Sequence, residues 1–487
     1  MGEYNAIFYQ NGVLMVYNAS LVGREKEITL LNEIVASPRS EFVAIYGRRR
    51  VGKTFLIKTL FQDKFTFYTT AMANMNFQGQ IRGFNNALTK YFPKEHHSKN
   101  WLDVFCDLRD CIEQAPQGPK IIFLDELSWF DTNRSGFVSA LEYFWNSWAG
   151  DRGDIKLIVC GSATSWILSK IINNHGGLYN RVTRQIRLEP FSLKECKEYF
   201  QLQQINFSKR EIALCYMAFG GIPFYLSLLN KKLSVSQNID ELFFAEGAEL
   251  ANEFQNLYQS LFKNSSIHIQ IVTALSNKGI GLTRDELLKA TGFQSSGDFT
   301  HAIEDLESCG FIRQYTPFGR QKKNGLIQLI DFYTLFYFRF VRENKLKDST
   351  FWSSMQNSPK FFSWAGYAFE MLCLHHVKQL KRALKIEVLQ SLPCSWFGQH
   401  EKSNVQIDLL LDRADDVINI CEMKFTRDPF EIDREYAEKI SEKMETFRKA
   451  SRTKKTLRLT FVSAAGLKDN VHAREVQNLI TLEDLFD

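Results

Sequence analysis

The feature that most constrains this 487-residue chain is a glycine-rich stretch close to residue 50. Residues 47–54 read Gly-Arg-Arg-Arg-Val-Gly-Lys-Thr, which completes the pattern G-x-x-x-x-G-K-[ST]. An apolar run at 41–46 precedes it and a helix-like run at 55–60 follows it, and the motif requires this strand-loop-helix context. The stretch therefore predicts a loop that wraps a phosphate group at a helix N-terminus, where backbone N–H groups and the helix dipole favour negative charge.

The loop predicts a nucleotide site in which most residues have an expected role. Its two glycines let the backbone curl around the β-phosphate, Lys53 reaches the β- and γ-phosphates, and Thr54 is a ligand of Mg²⁺. We therefore expect ATP and magnesium as cofactors. The loop residues expected to contact ATP are Gly47, Arg48, Arg49, Arg50, Val51, Gly52, Lys53 and Thr54.

A second motif supplies acidic residues at the end of a strand. Four apolar residues at 121–124 are followed by Asp125 and Glu126, which is the Walker B pattern. We expect Asp125 to hold Mg²⁺, directly or through water, and Glu126 to polarise the attacking water as a general base. Such runs are common by themselves, but one that follows a phosphate-binding loop is much stronger evidence.

Two further positions fit a nucleotide-hydrolysing core. The apolar run at 155–160 leads to Ser162, where a residue that senses the γ-phosphate is expected, although an ordinary serine at a strand end explains the pattern equally well. Arg181 is a candidate finger that stabilises transition-state charge on a neighbouring subunit's nucleotide. A surface arginine that pairs with a carboxylate is the alternative. A finger that acts between subunits implies a homo-oligomer.

Several short motifs occur in one order between residues 20 and 240. They are Gly23-Arg24-Glu25, the loop at 47–54, Asp125-Glu126, Gly161-Ser162, Pro190-Phe191 and Gly221-Ile222-Pro223. Together they resemble the archaeal-type ATPase family, close to the STAND and origin-recognition-like branches of the AAA+ proteins. The resemblance implies an α/β P-loop ATPase core of the AAA+ type over residues 17–191 and a helical lid over 192–260. It also implies that Gly23 and Arg24 lie near the adenine pocket.

Residues 261–345 predict a winged helix-turn-helix. Helical patterns, two of which follow the good N-cap residues Thr283 and Ser296, precede two strand-like runs that flank a basic turn with Asn-Gly. The turn carries Arg320, Lys322 and Lys323, which are candidates for neutralising DNA phosphates. Charged hairpin tips are often only solvated, and winged helices of large ATPases also bind proteins, so these alternatives stay open.

The C-terminal segment, residues 350–487, contains a second group of charged residues. Asp408, Glu422 and Lys424 interrupt apolar strand patterns, and their spacing predicts a β-hairpin that brings all three to one level. Burying such charges without a function is costly, so a magnesium site is the natural explanation. Asp408 and Glu422 would hold Mg²⁺, and Lys424 would orient or deprotonate a water that attacks a phosphodiester.

This D…E-x-K spacing resembles that of the PD-(D/E)XK nucleases, which have a restriction-endonuclease-like α/β fold. An amphipathic helix pattern at 364–372 precedes the hairpin, and a charged helix at 431–450 and a strand at 457–463 follow it. In that superfamily a glutamate on the preceding helix often completes the metal site, which makes Glu370 a third carboxylate candidate. The resemblance implies a domain that cleaves nucleic acid, although the pattern alone has many chance matches.

Composition narrows the class of protein. The chain is 45% hydrophobic and 24% charged, and no run approaches the roughly 18 apolar residues of a membrane span. The first residues lack the basic and apolar regions of a signal peptide. Nine cysteines without a C-x-x-C pair indicate the reduced thiols of a cytoplasmic protein. The net charge of +5 is too small to argue for nucleic acid by itself.

The sequence thus predicts an ATP-binding and hydrolysing switch coupled to DNA binding and to Mg²⁺-dependent cleavage of nucleic acid, a combination suited to defence or mobile-element biology. One alternative is a STAND-like or origin-recognition-like regulatory ATPase whose C-terminal domain binds DNA or protein without cutting. Another is a transcription regulator that depends on the winged helix alone. The expected partners are DNA, further copies of this chain and a protein bound through the winged helix; no membrane is expected.

Overall fold

The computed structural model describes the backbone of residues 6–10, 13–17, 21–174, 176–262, 264–320, 325–344, 348–400 and 403–487. Side chains are described for the same residues except 6–10, 13–17, 399–400 and 403–404. The chain divides into two compact units. The first consists of Met1–Pro190 and Gln259–Lys263, and the second of Phe191–Tyr258 and Asn264–Asp487. The finer division into four domains at residues 191, 260 and 345 stays a prediction.

The first unit is built on a five-stranded parallel sheet with the strand order β4-β5-β6-β3-β7. A separate antiparallel pair is formed by β1 and β2. The α/β class agrees with the prediction. The elements are β1 (Ala6–Gln10), β2 (Val13–Tyr17), α1 (Glu25–Ala36), β3 (Glu41–Tyr46), α2 (Lys53–Phe61), β4 (Phe65–Thr70), α3 (Phe77–Tyr91), α4 (Trp101–Glu113), β5 (Lys120–Asp125), α5 (Phe137–Ser147), β6 (Ile155–Gly161), α6 (Thr164–Trp166, continued by a π-helical turn) and β7 (Arg184–Arg187).

The centre of this sheet explains where the motifs meet. The strands β3, β5 and β6 are buried along almost their whole length, because continuous apolar runs suit a parallel sheet that helices cover on both faces. Aromatic rings from Trp101, Phe105, Phe130 and Phe137 pack against one another in the core beside it. Since parallel strands end at the same edge, the segments that follow β3, β5 and β6 lie together.

The second unit begins with a group of helices. Its α7 (Leu193–Leu202), α8 (Lys209–Phe219) and α10 (Val235–Phe243) each start at a capping box, in which a serine and a glutamate or glutamine bond to each other's backbone. The short α9 (Pro223–Ser227) starts at a proline, which needs no N–H partner in the first turn. The last helix of the group is α11 (Glu253–Leu261), which ends in the residues assigned to the first unit.

The middle of the second unit combines helices with a three-stranded antiparallel sheet, in which β10 lies between β8 and β9. Thr283 and Ser296 cap α13 and α14, as their positions predict. The elements are α12 (Ser265–Leu275), β8 (Leu282–Thr283), α13 (Arg284–Thr291), α14 (Gly297–Ser308), β9 (Ile312–Tyr315), β10 (Leu326–Leu329) and α15 (Phe332–Phe336, continued by a π-helical turn).

The C-terminal part of the second unit contains a mixed five-stranded sheet in the order β11-β12-β13-β14-β15. The first three strands are antiparallel and the last three are parallel. The strand β11 is absent from the sequence prediction, because Pro393 and Gly398 weaken its strand pattern. The elements are α16 (Phe351–Met355), α17 (Pro359–His375), α18 (Val377–Ala383), β11 (Ser391–His400), β12 (Ser403–Arg413), β13 (Val417–Lys424), α19 (Arg434–Ser451), β14 (Thr456–Ser463) and β15 (Asn478–Thr481).

Two general features concern membrane-spanning helices and cysteines. Within the described residues, no helix combines the length and the apolar character needed to cross a membrane. All nine cysteines lie in the described part of the chain as free thiols, and seven of them are buried. The cysteines therefore contribute to packing and not to disulfide bonds.

Candidate functional site

The glycine-rich loop connects the end of β3 to the start of α2. Gly47 has a φ of +139°, and a Cβ atom at this position would overlap the carbonyl oxygen of Leu188. The N–H of Leu188 donates to the carbonyl of Tyr46 at 2.8 Å, so the neighbouring chain is held against the loop. The first glycine of the motif is therefore required by close backbone approach as well as by conformation.

The loop lysine is buried and bonded to the loop itself. The ammonium group of Lys53 donates to the carbonyl oxygens of Gly47 and Arg48 at 2.8 and 2.9 Å. Gly47 and Arg48 are the first two residues of the motif, so the ammonium is bonded to the loop's own backbone. The remaining loop positions, Arg49, Arg50, Val51 and Gly52, are buried or half-buried, and Arg50 adopts a left-handed backbone with φ of 72°.

Thr54 and Asp125 lie side by side where α2 and β5 meet. The hydroxyl oxygen of Thr54 is 2.9 Å from Oδ2 and 3.1 Å from Oδ1 of Asp125. Burial, followed by the charge of Glu126, raises the pKa of Asp125. Hydroxyl and carboxylate oxygens are hard ligands of the kind that Mg²⁺ prefers, so the chemistry of this pair fits Mg²⁺.

Glu126 and Ser162 are paired at the ends of neighbouring strands. The Ser162 hydroxyl donates to Oε1 of Glu126 at 2.8 Å, and the Ser162 N–H donates to Oε2 at 3.3 Å. Glu126 itself has a left-handed backbone with φ of 52°. The sequence assigns Ser162 to the γ-phosphate, whereas in the structure it holds the carboxylate of the predicted base. The role of Ser162 towards nucleotide stays a prediction.

Arg24 supports the loop from the N-terminal side. Its guanidinium donates to the carbonyl oxygen of Glu189 at 2.8 Å and to that of Val51 at 3.4 Å. Arg24 is buried and precedes α1 with a left-handed backbone, as does Gly23. This bond between the loop and the chain after β7 was not predicted, and the adenine role of Gly23 and Arg24 stays a prediction. Arg181 is exposed on the turn before β7, and its role in a neighbouring subunit likewise stays a prediction.

A second cluster of charged side chains lies on the C-terminal sheet. The pairing of Leu409 with Cys421 puts Asp408 and Glu422 at the next level of β12 and β13, close to each other. Lys424 lies two residues further along β13, on the face of Glu422, and α17, which carries Glu370, packs on β13. The four residues singled out from the sequence therefore come together.

Glu422 is the most heavily bonded member of this cluster. Its Oε2 accepts from the ammonium of Lys443 at 2.7 Å, and its Oε1 accepts from the Tyr436 hydroxyl and is 3.3 Å from the ammonium of Lys424. Burial opposes the charge of Glu422, but Lys443 and then Lys424 outweigh it and lower the pKa of this carboxyl. Lys443 and Tyr436 were not predicted. The spacing of seven residues, two turns on one face of α19, is the signal that could have paired them.

The other two carboxyls of the cluster are shifted in the opposite direction. Burial, then the charges of Asp408 and Glu422, raises the pKa of Glu370 to about 8. Burial also raises the pKa of Asp408, which accepts a hydrogen bond from Gln406. Burial thus makes Glu370 and Asp408 costly to ionise, whereas the two lysines favour the charged form of Glu422.

The carboxylates suit a hard cation by chemistry, because Mg²⁺ prefers oxygen ligands. Across the described ranges of the chain, no three His, Cys, Asp or Glu side chains form a group that could hold a metal ion. The oxygens of Glu422 are bonded to Lys443, Lys424 and Tyr436 instead, and the predicted metal site of Asp408, Glu422 and Glu370 stays a prediction.

The predicted wing is bonded to the C-terminal sheet. The Phe318 ring lies 5.3 Å from that of Phe447 and belongs to the same apolar cluster, and the Phe318 N–H donates to the carbonyl of Ser395 at 2.7 Å. Arg320 is exposed but stacks over the ring of Phe397 at 3.9 Å. The sequence offers Arg320 as a candidate phosphate contact; in the structure its guanidinium stacks on a ring of β11, and its role towards DNA stays a prediction. Lys322 and Lys323 lie outside the described residues.

Comparison with known proteins identifies one part of the chain. Residues 21–229 match the family described as an ATPase domain predominantly from Archaea. An uncharacterized protein of Methanocaldococcus jannaschii is 26% identical over 372 residues, which make up 75% of this chain and 79% of that protein. The predicted archaeal-type ATPase is confirmed for residues 21–229, and with it a nucleotide-binding P-loop domain.

Solved structures show more distant likeness. The Walker-type ATPase of Pyrococcus abyssi is 18% identical, with a TM-score of 0.47 over 65% of this chain and 95% of that chain. The ORC2 protein of Aeropyrum pernix is 14% identical, with a TM-score of 0.39 over 69% of this chain and 96% of that chain. The assignment of the ATPase domain rests on the family match.

Proposed function

We propose that this protein is an ATP-hydrolysing switch, in which the archaeal-type ATPase domain at residues 21–229 controls a C-terminal domain that cleaves nucleic acid. The observation that carries the second half of the proposal is that Asp408, Glu422 and Lys424 meet on one sheet beside Glu370 of α17. Buried carboxyls whose pKa values are shifted by burial and by a specific charge partner mark a candidate functional site.

In the ATPase domain, each bonded group has a task in hydrolysis. Lys53 would exchange the carbonyls of Gly47 and Arg48 for the β- and γ-phosphates, because both are hydrogen-bond acceptors and the phosphates carry charge. Thr54 and Asp125 would hold Mg²⁺, which neutralises phosphate charge when bound. Glu126 would take the proton of the attacking water, with Ser162 fixing the direction of its carboxylate.

In the C-terminal domain, Glu422 and Asp408 would supply the oxygen ligands for a divalent cation, and Lys424 would hold the attacking water or the phosphate. The order of elements, α17 followed by β11–β13, α19 and β14, supports this proposal because it contains the predicted arrangement of helix, hairpin, helix and strand. Glu370 on α17 faces the same cluster.

Nucleic-acid contact by the middle segment would depend on the wing. The helix α14, which occupies the place of a recognition helix, contains Asp298, Glu304, Asp305 and Glu307 and no lysine or arginine. Its charge opposes a phosphate backbone, which proteins bind with basic side chains. A protein partner with a basic surface therefore suits α14 better than DNA does, and DNA would be held by the C-terminal domain.

The proposal is tested with the full chain, ATP and Mg²⁺ on plasmid, linear and single-stranded DNA. We expect Glu422→Ala and Lys424→Ala to lower the cleavage rate at least about 100-fold, and Lys439→Ala, on the exposed face of α19, to cleave as the wild type does. Lys53→Ala would show whether cleavage needs nucleotide. Equal cleavage by the wild type and Glu422→Ala would disprove the assignment of the site.

One observation favours a second function, a regulatory ATPase whose C-terminal domain binds without cutting. Lys443 and Tyr436 are bonded to the oxygens of Glu422 that a metal would need. A protein of this kind would hydrolyse ATP with Glu126 and yet leave every nucleic acid intact in both Mg²⁺ and Mn²⁺. Light scattering with and without ATP would test whether copies of the chain assemble. If Arg181 acts on a neighbouring subunit's nucleotide, Arg181→Ala should hydrolyse ATP slowly although it binds nucleotide normally.

A further inference from the structure

The lysine at position 443 is unusual for the face of the helix that carries it. Ile440 and Phe447, which lie on the same side of α19, are buried against the sheet, whereas Lys439 is on the exposed side and pairs with Glu435 at 2.6 Å. A lysine on the buried face of an amphipathic helix costs free energy unless it is paired. Lys443 is paired, because its ammonium donates to Oε2 of Glu422 at 2.7 Å.

The ammonium group of Lys443 lies where it would compete with a bound cation. Lys443 is close enough to act on the charges of all three carboxyls, Glu370, Asp408 and Glu422. A divalent cation held by Asp408 and Glu422 would compete with Lys443 for the Glu422 carboxylate. It would also repel the ammonium of Lys443, which lies 2.7 Å from Oε2 of Glu422. The ammonium of Lys443 and a divalent cation therefore cannot both bind Glu422 tightly.

We propose that Lys443 is a built-in counter-ion of this cluster, which closes the site in the absence of metal and must withdraw before a divalent cation binds. The flexible four-carbon side chain allows the withdrawal. The released ammonium would then be free to bind a phosphate group of a nucleic-acid substrate. The inference rests on the proposed cation site at Asp408 and Glu422.

The inference is tested by titrating Mn²⁺ into the nucleotide-free full chain by calorimetry. We expect Lys443→Met to bind Mn²⁺ at least about tenfold more tightly than the wild type, because a repelling charge has been removed. Lys443→Gln, which keeps a hydrogen-bond donor to Glu422 without the charge, should give a similar gain. The matched control is Lys439→Met, which removes an exposed lysine one turn away and should bind Mn²⁺ as the wild type does.

A second readout separates a counter-ion from an ordinary stabilising ion pair. Without metal, Lys443→Met should melt at a lower temperature, because Glu422 loses its closest cation; with Mn²⁺ it should regain the lost stability. The Mn²⁺ effects should vanish in Lys443→Met combined with Glu422→Gln. Unchanged or weaker Mn²⁺ binding by both Lys443 variants, or a gain that survives in the double variant, overturns the inference.

The failure of this inference differs from the failure of the nuclease proposal. A chain that binds Mn²⁺ more tightly after Lys443→Met but never cleaves nucleic acid retains the counter-ion and lacks the reaction. A chain that cleaves nucleic acid through Glu422 but shows no gain in Mn²⁺ binding retains the reaction and lacks the counter-ion. The calorimetric and melting experiments need no catalytic activity.

Discussion

The buried histidine at position 376 should make the stability of the folded chain fall in acid. His376 follows α17, is 2% exposed and has both ring nitrogens in hydrogen bonds. Its Nδ1 donates to the carbonyl of Leu372 at 2.9 Å, and its Nε2 accepts from the N–H of Leu193, the first residue of α7, at 3.1 Å. The ring is therefore neutral in the folded chain, because a proton on Nε2 would face the proton of Leu193.

The size of the effect follows from the pKa. Burial lowers the pKa of His376 from its usual 6.5 to about 4. The unfolded chain takes up the proton first, so the contribution to stability is complete above pH 6.5 and is lost as the pH falls towards 4. With about 1.4 kcal/mol for each pKa unit, the loss is about 2 kcal/mol at pH 5 and about 3 kcal/mol at pH 4.

The assay compares the wild type with His376→Gln and His375→Gln. The free energy of unfolding, measured with urea at pH 7.5 and pH 5, should fall by about 2 kcal/mol more in the wild type than in His376→Gln. His375→Gln changes the exposed neighbour and should follow the wild type. An NMR titration should find the His376 ring neutral at pH 5.5. A ring that titrates near 6.5, or parallel losses in the wild type and His376→Gln, would refute the reasoning.

Three further predictions address the nucleotide loop, the base and the wing. Glu126→Gln should lower the ATP hydrolysis rate at least about 100-fold in a steady-state phosphate-release assay, while fluorescent-nucleotide binding stays normal. Gly47→Ala should weaken ATP binding in the same fluorescence assay, because its methyl group meets the Leu188 carbonyl; binding equal to the wild type would contradict this close approach. Phe318→Ala should lower the free energy of unfolding by about 2 kcal/mol and speed proteolysis of the wing, whereas Gln314→Ala, on an exposed part of β9, should change neither.

The parts that sequence predicts well are those set by local pattern. The pattern from Gly47 to Thr54 allows only one strand-loop-helix conformation. Asp125 ends a strand that four consecutive apolar residues, 121–124, predict. The hairpin that brings Asp408 level with Glu422 follows from a two-residue period on both sides of a polar turn. In each case the residues that determine the geometry are neighbours in the chain.

The parts that sequence missed depend on contacts between distant segments. Arg24 bonds a carbonyl 165 positions away, and Phe318 packs on Phe447. Nothing near Lys443 in the chain shows that Glu422 is its partner. The basic turn at Arg320 has the composition of a solvated tip, and only the aromatic ring of Phe397 on an unpredicted strand reveals that it is stacked. Long-range packing of this kind overrides what local composition indicates.

One helix links several of these unpredicted contacts. In the second unit, α17 is anchored near its start by Trp364, whose ring packs against Trp352 and Phe336. Its far end is anchored by His376, which bonds the start of α7. Glu370 lies between the two anchors, about 9 Å along the helix from His376. Because α17 is held at both ends, a displacement of α7 would shift the carboxyl cluster through this helix. Loss of the His376 hydrogen bond should therefore alter Mn²⁺ binding at Glu422 although no predicted ligand of the cation is changed.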